Sequence, residues 1–218
     1  MSHKKLRIII FGPQGSGKGT QGHLLAERFN IPLIGAGDLF RMEIADGTRL
    51  GLMVKEYVDH GSLAPDELVN AVITHRLKKT DLSKGFILDG YPRNVEQAQH
   101  LDKLLKINLA IYLRMSDKEA MRRLLGRRQC TQCKAQYHRT DLPSSKGGFC
   151  TVCGGALMRR VDDEEETIVR RLATFHFITE PLVSHYRQKG TLLTINAEQP
   201  VGEVFQDLTK KMAKLGFS

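Results

Sequence analysis

Leu6-Arg7-Ile8-Ile9-Ile10-Phe11-Gly12-Pro13-Gln14-Gly15-Ser16-Gly17-Lys18-Gly19-Thr20 is the stretch that decides the fold. Its first six residues form an apolar run of strand length, and the remainder is a glycine-rich turn carrying a lysine. A buried strand delivers the chain into a tight loop, and residues 18–28 then read as a helix whose N-terminus faces a bound anion. Exposed amide N–H groups, the positive helix end and the Lys18 ammonium converge on one polyphosphate. Loops of this pattern carry Ser or Thr directly after the lysine. Here that position is Gly19, with Thr20 one step later, so the loop is a variant. A plain flexible turn is the alternative, and the strand–loop–helix setting argues against it.

Working outward, apolar runs alternate with helical patterns. Residues 6–11, 32–34, 85–88, 109–113 and 191–195 read as strands. Helical stretches fall at 20–29, 37–46, 50–60, 65–79, 94–106, 117–128, 164–189 and 201–215. In the fourth, Leu68, Val69, Val72, Ile73 and Leu77 form one apolar stripe, and Pro65-Asp66-Glu67 fill the first turn as helix starts prefer. Pro181 should kink or split the seventh. This alternation predicts an α/β fold of the P-loop NTPase type, a five-stranded parallel sheet covered by helices on both faces. Ligands of such sheets lie beyond the carboxyl ends of the strands. Residues 12–20, Asp38, Asp89 and Arg93 therefore share one edge.

The chain has 218 residues, enough for one sizeable core with small inserted lobes, and an ordinary globular composition with 26% charged and 41% hydrophobic residues. There is no apolar run long enough to span a membrane. Met1-Ser2-His3-Lys4-Lys5 leads straight into the first strand, so no signal peptide is expected and the location is read as cytoplasmic. The net charge of +9 suits nucleic acid or small anions. Arg41, Arg93, Arg123, Arg127, Arg160 and Arg171 are scattered and not blocked together, which favours a compact, highly charged ligand over nucleic acid.

One segment breaks the pattern. Between about 129 and 158 the apolar period vanishes, and Cys130-Thr131-Gln132-Cys133 and Cys150-Thr151-Val152-Cys153 stand sixteen residues apart. Two such pairs have the spacing of a four-thiolate zinc site, and they use all four cysteines of the chain. Disulfides are the alternative, which a cytosolic chain disfavours. Four sulfurs leave no open coordination position, so the metal would be structural. A lobe of this size lacks an apolar core of its own, and metal binding supplies the missing folding energy. Gly154-Gly155 suits a tight turn beside the sulfurs. Tyr137-His138 reads as nucleotide contact or surface.

Gly15-Ser16-Gly17-Lys18-Gly19-Thr20, Gly37-Asp38 followed by Arg41, Leu88-Asp89-Gly90-Tyr91-Pro92-Arg93, Gly126-Arg127-Arg128, and Asp162-Asp163 through Arg171 together resemble the adenylate kinase signature. The likeness runs from about residue 6 to the C-terminus, and the Asp-Gly-Tyr-Pro-Arg motif is its most specific part. The four-cysteine insert resembles the zinc-bearing lid of long-form bacterial members, especially of Gram-positive type. The resemblance implies a core of residues 1–34, 65–125 and 164–218, a nucleoside-monophosphate lobe at 35–64, and a zinc-stabilised lid at 126–163. It implies MgATP and AMP (or ADP) as partners in a monomer that binds neither nucleic acid nor membrane.

Transfer of a phosphoryl group between two anionic nucleotides asks the protein for alignment and charge neutralisation. Lys18 would hold the donor phosphates together with Gly15, Ser16, Gly17, Gly19 and Thr20. Arg93 would bind the acceptor phosphate, with Arg41 as a second contact. Arg127, Arg160 and Arg171 would close around the transferring group, since a planar guanidinium grips phosphate oxygens bidentately. Arg171 and Arg170 also read as surface on a charged helix. Arg123, four residues before Arg127 on one helix face, would stack on the donor adenine, with Gln136, Tyr137 and Gln199 as further donor contacts. Asp89 is the candidate for the shell of Mg2+, through water, or else a turn cap. Asp38 is read as a helix cap, and Asp162 as orienting an arginine. The acidic run from Asp162 to Glu166 suits a helix start and is not read as a metal site.

For the acceptor, the resemblance implies Ala36, Ser62, Leu63, Ala64, Gly90, Tyr91, Pro92 and Gln97 around the base and ribose, with Gln97 reading the adenine edge. Ala36 replaces the threonine usual in adenylate kinases, and together with Asn94 it resembles UMP/CMP kinases. Gln199 stands where many relatives carry lysine, next to Ala197. A P-loop ATPase or switch would leave Arg93, Arg127 and Arg171 unexplained. A zinc-ribbon nucleic-acid module would want basic and aromatic residues clustered in the insert, which has only Tyr137 and Phe149 as aromatics.

Overall fold

The computed structural model describes residues 5–59, 64–79 and 82–217. Five strands, β1 (Leu6–Phe11), β2 (Leu33–Gly35), β3 (Gly85–Asp89), β4 (Leu109–Arg114) and β8 (Leu192–Asn196), form one sheet in the order β2-β3-β1-β4-β8. Every neighbouring pair in it is parallel, as the alternation of strand and helix requires.

The strands read as continuous apolar runs because both faces are covered. Ile8 and Ile10 point to one side, where they meet Leu25, Leu124, Ile168 and Leu208. Ile9 and Phe11 point to the other, against Leu88, Val72, Leu101 and Tyr186. This follows from the two-residue period of side chains along a strand. The first layer comes from α1 (Lys18–Phe29), α6 (Asp117–Gly126), α7 (Glu165–Thr174) and α9 (Val201–Lys214). The second comes from α2 (Ala36–Ala45), α4 (Asp66–Lys79), α5 (Val95–Leu104) and α8 (Leu182–Gln188). Helix α3 (Arg49–Asp59) packs on α2 and α4. Among the described residues no helix is long and apolar enough to cross a membrane.

Two helix assignments need correcting. The seventh breaks, as Pro181 foretold, but it loosens earlier, into a π turn over Phe175–Thr179, before Pro181 opens α8. The sixth ends at Gly126 and not at 128, because Arg127–Cys130 is recruited as strand β5. That strand pairs antiparallel with β6 (Gln136–His138) and β7 (Leu157–Met158) to make a small separate sheet. Arg123 and Arg127 therefore do not share a helix face. Hydrophobic periodicity gives no warning of this sheet, since its strands are two to four residues long.

Candidate active site

Parallel strands bring their carboxyl ends to one edge, and the loops leaving β1, β2, β3 and β4 gather there. Gly35 stands opposite Asp89 in the sheet register, and Asp89 opposite Ile10. The loop after β1 turns through Gly15 and Gly17, both with φ 84, a conformation that favours glycine. A Cβ at Gly17 would meet no atom of the described residues within 4 Å, so the space before the loop is open to a ligand. Ser16 Oγ is buried and has no hydrogen-bond partner among the described residues.

Lys18 opens α1 and folds back over the loop, its Nζ donating to Gly12 O at 2.8 Å and Pro13 O at 2.9 Å. Burial lowers its pKa to about 8; Asp89 works against that shift, while Arg93, Arg171 and Arg127 add to it. Those four groups, carried by loops and elements far apart in sequence, thus share one field with the lysine. Asp89 ends β3. Burial raises its pKa, and the neighbouring Lys18 and Arg93 oppose the rise. Arg93 Nε donates to Gly90 O at 3.0 Å.

The remaining arginines are held by two aspartates. Asp163, fully buried, accepts from Arg127 Nε at 2.8 Å and from Arg127 Nη2, while its backbone oxygen accepts from Arg159. Asp162 accepts from Arg160 Nε and Nη2, each at 2.8 Å, and from Arg171 Nη1 at 2.9 Å. Burial alone would raise the Asp162 pKa, but Arg160, Arg171 and Arg127 hold it below the usual carboxylate range. Three guanidinium groups are thereby assembled with their mutual repulsion offset by two carboxylates.

Cys130 at the end of β5 and Cys133, Cys150 and Cys153 in the turns beside the small sheet carry free thiols whose sulfurs all lie within 4.8 Å of one another. Cys130 and Cys153 Sγ are 3.4 Å apart, and Cys133 and Cys150 Sγ 3.5 Å. Sulfurs around a tetrahedral ion with bonds of about 2.3 Å would sit about 3.8 Å apart, so the cluster is positioned to hold a metal. A side chain at Gly155 would press within 2.9 Å of Cys130 Sγ, which explains the glycine. The Tyr137 hydroxyl lies 3.3 Å from Cys150 Sγ and accepts from Thr151 N at 2.9 Å, and it lowers the pKa of that thiol.

A family model described as Adenylate kinase matches residues 10–191. The chain belongs to the adenylate kinase family. It is 44% identical over 216 residues to an adenylate kinase of Thermoanaerobacter sp. (strain X514), covering 97% of this chain and 100% of the relative. It is 45% identical over 212 residues to that of Desulfitobacterium hafniense (strain DCB-2), covering 95% and 98%, and 42% identical over 214 residues to that of Methanosarcina barkeri (strain Fusaro), covering 96% and 99%.

On this adenylate kinase scaffold the candidate residues fall into several settings. Lys18, Asp89, Arg93, Arg127 and Arg171 come together, and Arg160 joins them through Asp162. Arg123 Nη2 donates to Gln199 O at 3.4 Å, so these two donor-side candidates do meet. Gln136 stands apart in β6 with its Nε2 on Lys134 O, and the Tyr137 hydroxyl is engaged by the cysteine cluster. Arg41 pairs with Asp38 at an exposed position. Asp38 lies inside the first turn of α2 and makes no cap, since Gly35 precedes that helix. Ala36 is buried, and Ala64 is half-buried. Tyr91 is 1% exposed, its hydroxyl donating to Asn70 Oδ1 and Gln97 O, so only its backbone can reach a ligand. Pro92 follows in the same buried turn, joined by a cis peptide bond. Gln97 is 3% exposed and bonded to Asp66 and to Arg93 N. Ser62 and Leu63 lie outside the described residues.

Four supporting carboxylates escaped the sequence reading of the site. The sequence places Asp66 only at a helix start and Asp163 only within a motif. Glu119 accepts from Arg123 Nε at 2.7 Å, and Glu198 accepts from Ser116 N at 2.8 Å. The i, i+4 spacing of Glu119 and Arg123 was the one available signal.

Proposed function

We propose that this cleft carries the adenylate kinase reaction, the reversible transfer of the terminal phosphoryl group from MgATP to AMP giving two ADP. The observation that carries it is the convergence of Asp89, Arg93, Arg127 and Arg171 on one field around Lys18. Two nucleotide tails repel one another, so their approach needs cations from several directions and little covalent chemistry. Lys18 can leave the Gly12 and Pro13 carbonyls for donor phosphate oxygens, which the N-terminus of α1 also faces. Arg93, with Arg41, takes the acceptor phosphate. Arg127, Arg160 and Arg171 exchange part of their aspartate contacts for oxygens of the transferring group. Arg123 and Gln199 border the donor base, and Gln97 faces the acceptor base.

A single carboxylate such as Asp89 fits magnesium, which keeps several waters and otherwise binds substrate phosphates. Magnesium, when bound with ATP, draws charge from the donor phosphates. The four-sulfur donor set fits zinc, which would be held by Cys130, Cys133, Cys150 and Cys153 and keep the small sheet folded. We assign residues 1–34, 65–125 and 164–218 to the core, 35–64 to an acceptor lobe and 126–163 to a lid that excludes water on closing. Free thiols ready for a metal support a cytoplasmic location, and we take the protein to act as a monomer.

The pyrimidine alternative is not favoured. Asn94 is accounted for locally as the N-cap of α5, its Oδ1 accepting from Gln97 N at 2.7 Å. Incubating the protein with magnesium and ADP alone decides the matter. Equal yields of ATP and AMP are expected, and phosphate release without AMP would reject a phosphotransferase. Comparable kcat/KM for CMP and AMP would overturn the choice of acceptor.

A further inference from the structure

Two side-chain amides at the start of α5 are held in one sense by groups that cannot change role. Asn94 Nδ2 donates to Asp66 Oδ2 and Gln97 Nε2 donates to Asp66 Oδ1, each at 2.7 Å. On their other sides, Asn94 Oδ1 accepts from Gln97 N and Gln97 Oε1 accepts from Arg93 N, again at 2.7 Å. An ionised carboxylate only accepts and a backbone N–H only donates. Turning either amide over would set a carbonyl against the carboxylate and an NH2 against an N–H. With Gln97 3% exposed, water offers little compensation for such a mismatch.

Asp66 accepts from both amides, and it comes from a different element, the first turn of α4. The same helix is tied to the turn before α5 a second time, where the Tyr91 hydroxyl donates to Asn70 Oδ1 at 2.6 Å. A primary amide has two N–H groups and a carbonyl oxygen with two lone pairs. Gln97 therefore keeps one N–H and one lone pair beyond this network.

We propose that Asp66 is a positioning residue that fixes the polarity with which Gln97 meets the acceptor base. The proposal rests on the reading of Gln97 as the base-facing residue and extends it. A base anchored through its phosphate offers its edge in one orientation. An amino base such as adenine or cytosine presents a ring-nitrogen acceptor beside an amine donor. A 6-oxopurine presents a ring N–H donor beside a carbonyl acceptor, and needs the amide turned over. With AMP as acceptor, the locked sense is the one that suits amino bases, and Asp66 opposes the turn that oxo bases require. The amine-for-oxygen exchange between AMP and IMP isolates this effect, since ribose, phosphate and ring size are unchanged.

The test is kcat/KM for AMP and for IMP in the wild type, Asp66→Asn, Gln97→Ala and Glu67→Gln. Asp66→Asn keeps the shape but replaces one acceptor by a donor, so one amide must turn or lose its bond. Its AMP-to-IMP ratio should fall by about tenfold, the effect of losing one charge-assisted hydrogen bond, with kcat/KM falling for AMP and rising for IMP. Glu67→Gln removes the neighbouring first-turn carboxylate and should leave the ratio unchanged, which separates polarity from helix electrostatics. If Gln97→Ala collapses the ratio and Asp66→Asn does not move it, the proposal fails while the base reading stands. If Gln97→Ala also leaves it unmoved, the base reading itself is wrong, and the proposal falls with it. Should melting curves show Asp66→Asn unfolded, Asp66→Ser, which supplies a helix-starting hydroxyl in place of the carboxylate, carries the same expectation and the same refutation.

Discussion

Asp163→Asn tests whether charge, and not shape, holds the arginine cluster together. The native carboxylate is 0% exposed and accepts two hydrogen bonds from Arg127, whose side chain is 19% exposed. It also stands 3.9 Å from Arg171 Nη1. The substitution keeps volume and one acceptor oxygen, but turns an NH2 toward a guanidinium that has only donors. Losing one partner of a buried pair costs about 3–5 kcal/mol. Here one bond to a charged donor survives and Arg127 keeps some water, so we expect about 2–3 kcal/mol. At this chain length each kcal/mol moves the melting point by about 2–4 °C, giving a fall of roughly 4–12 °C. A urea-unfolding cycle with Arg127→Met assigns the cause. Removing Arg127 in the Asp163→Asn background should recover most of the loss, with a coupling of about 2 kcal/mol. Additive losses, with coupling below about 0.5 kcal/mol, would show that Asp163 acts through packing alone and refute the charge account.

Lys18 should make donor binding pH-dependent: with its pKa lowered to about 8 by burial, MgATP affinity should weaken about tenfold per pH unit above that value. Stability has the opposite sign, because a lysine depressed from 10.5 in the folded state leaves the unfolded chain binding more protons, so ligand-free stability should rise with pH between about 8 and 10.5. Lys18→Arg stays charged throughout, and a titration curve for it parallel to the wild type would reject the assignment. A Cβ at Gly126 would lie 2.1 Å from His138 Nε2, and that ring is anchored by the Thr140 and Asp141 N–H groups donating to Nδ1. Gly126→Ala should therefore cost about 1–3 kcal/mol and be rescued by His138→Ala; no rescue in melting temperature would point elsewhere. Chelating the metal of the cysteine cluster should lower the melting temperature while sparing ADP disproportionation at low temperature, and loss of chemistry in a still-folded protein would exclude a purely structural role.

The core was legible because its period is strong. Ile8 to Phe11 are buried on both faces, and the stripe through Val69, Val72 and Ile73 packs as its spacing required. Element ends were less legible. The run through Arg127 and Arg128 continues a helical pattern, yet β-pairing with His138 and Tyr137 recruits it into a strand. Tertiary pairing here overrides local propensity. Tyr91 lay in a motif, and its burial could not be inferred from its neighbours in sequence. Asp66 shows the same gap from the other side: its partners Asn94 and Gln97 lie 28 and 31 residues away.

The sequence alone determined which groups are present and how each segment tends to fold. A glycine loop between strand and helix binds phosphate through its own backbone, and two cysteine pairs carry a metal site in their spacing, because both depend on residues close along the chain. The tertiary structure decided which charges meet. The gathering of Asp89, Arg93, Arg127 and Arg171 around Lys18, and the pairing of the arginines with Asp162 and Asp163, depend on strand order and on where α7 and the small sheet dock. Coulombic and hydrogen-bond energies fall with distance in space, and distance in space is set by packing.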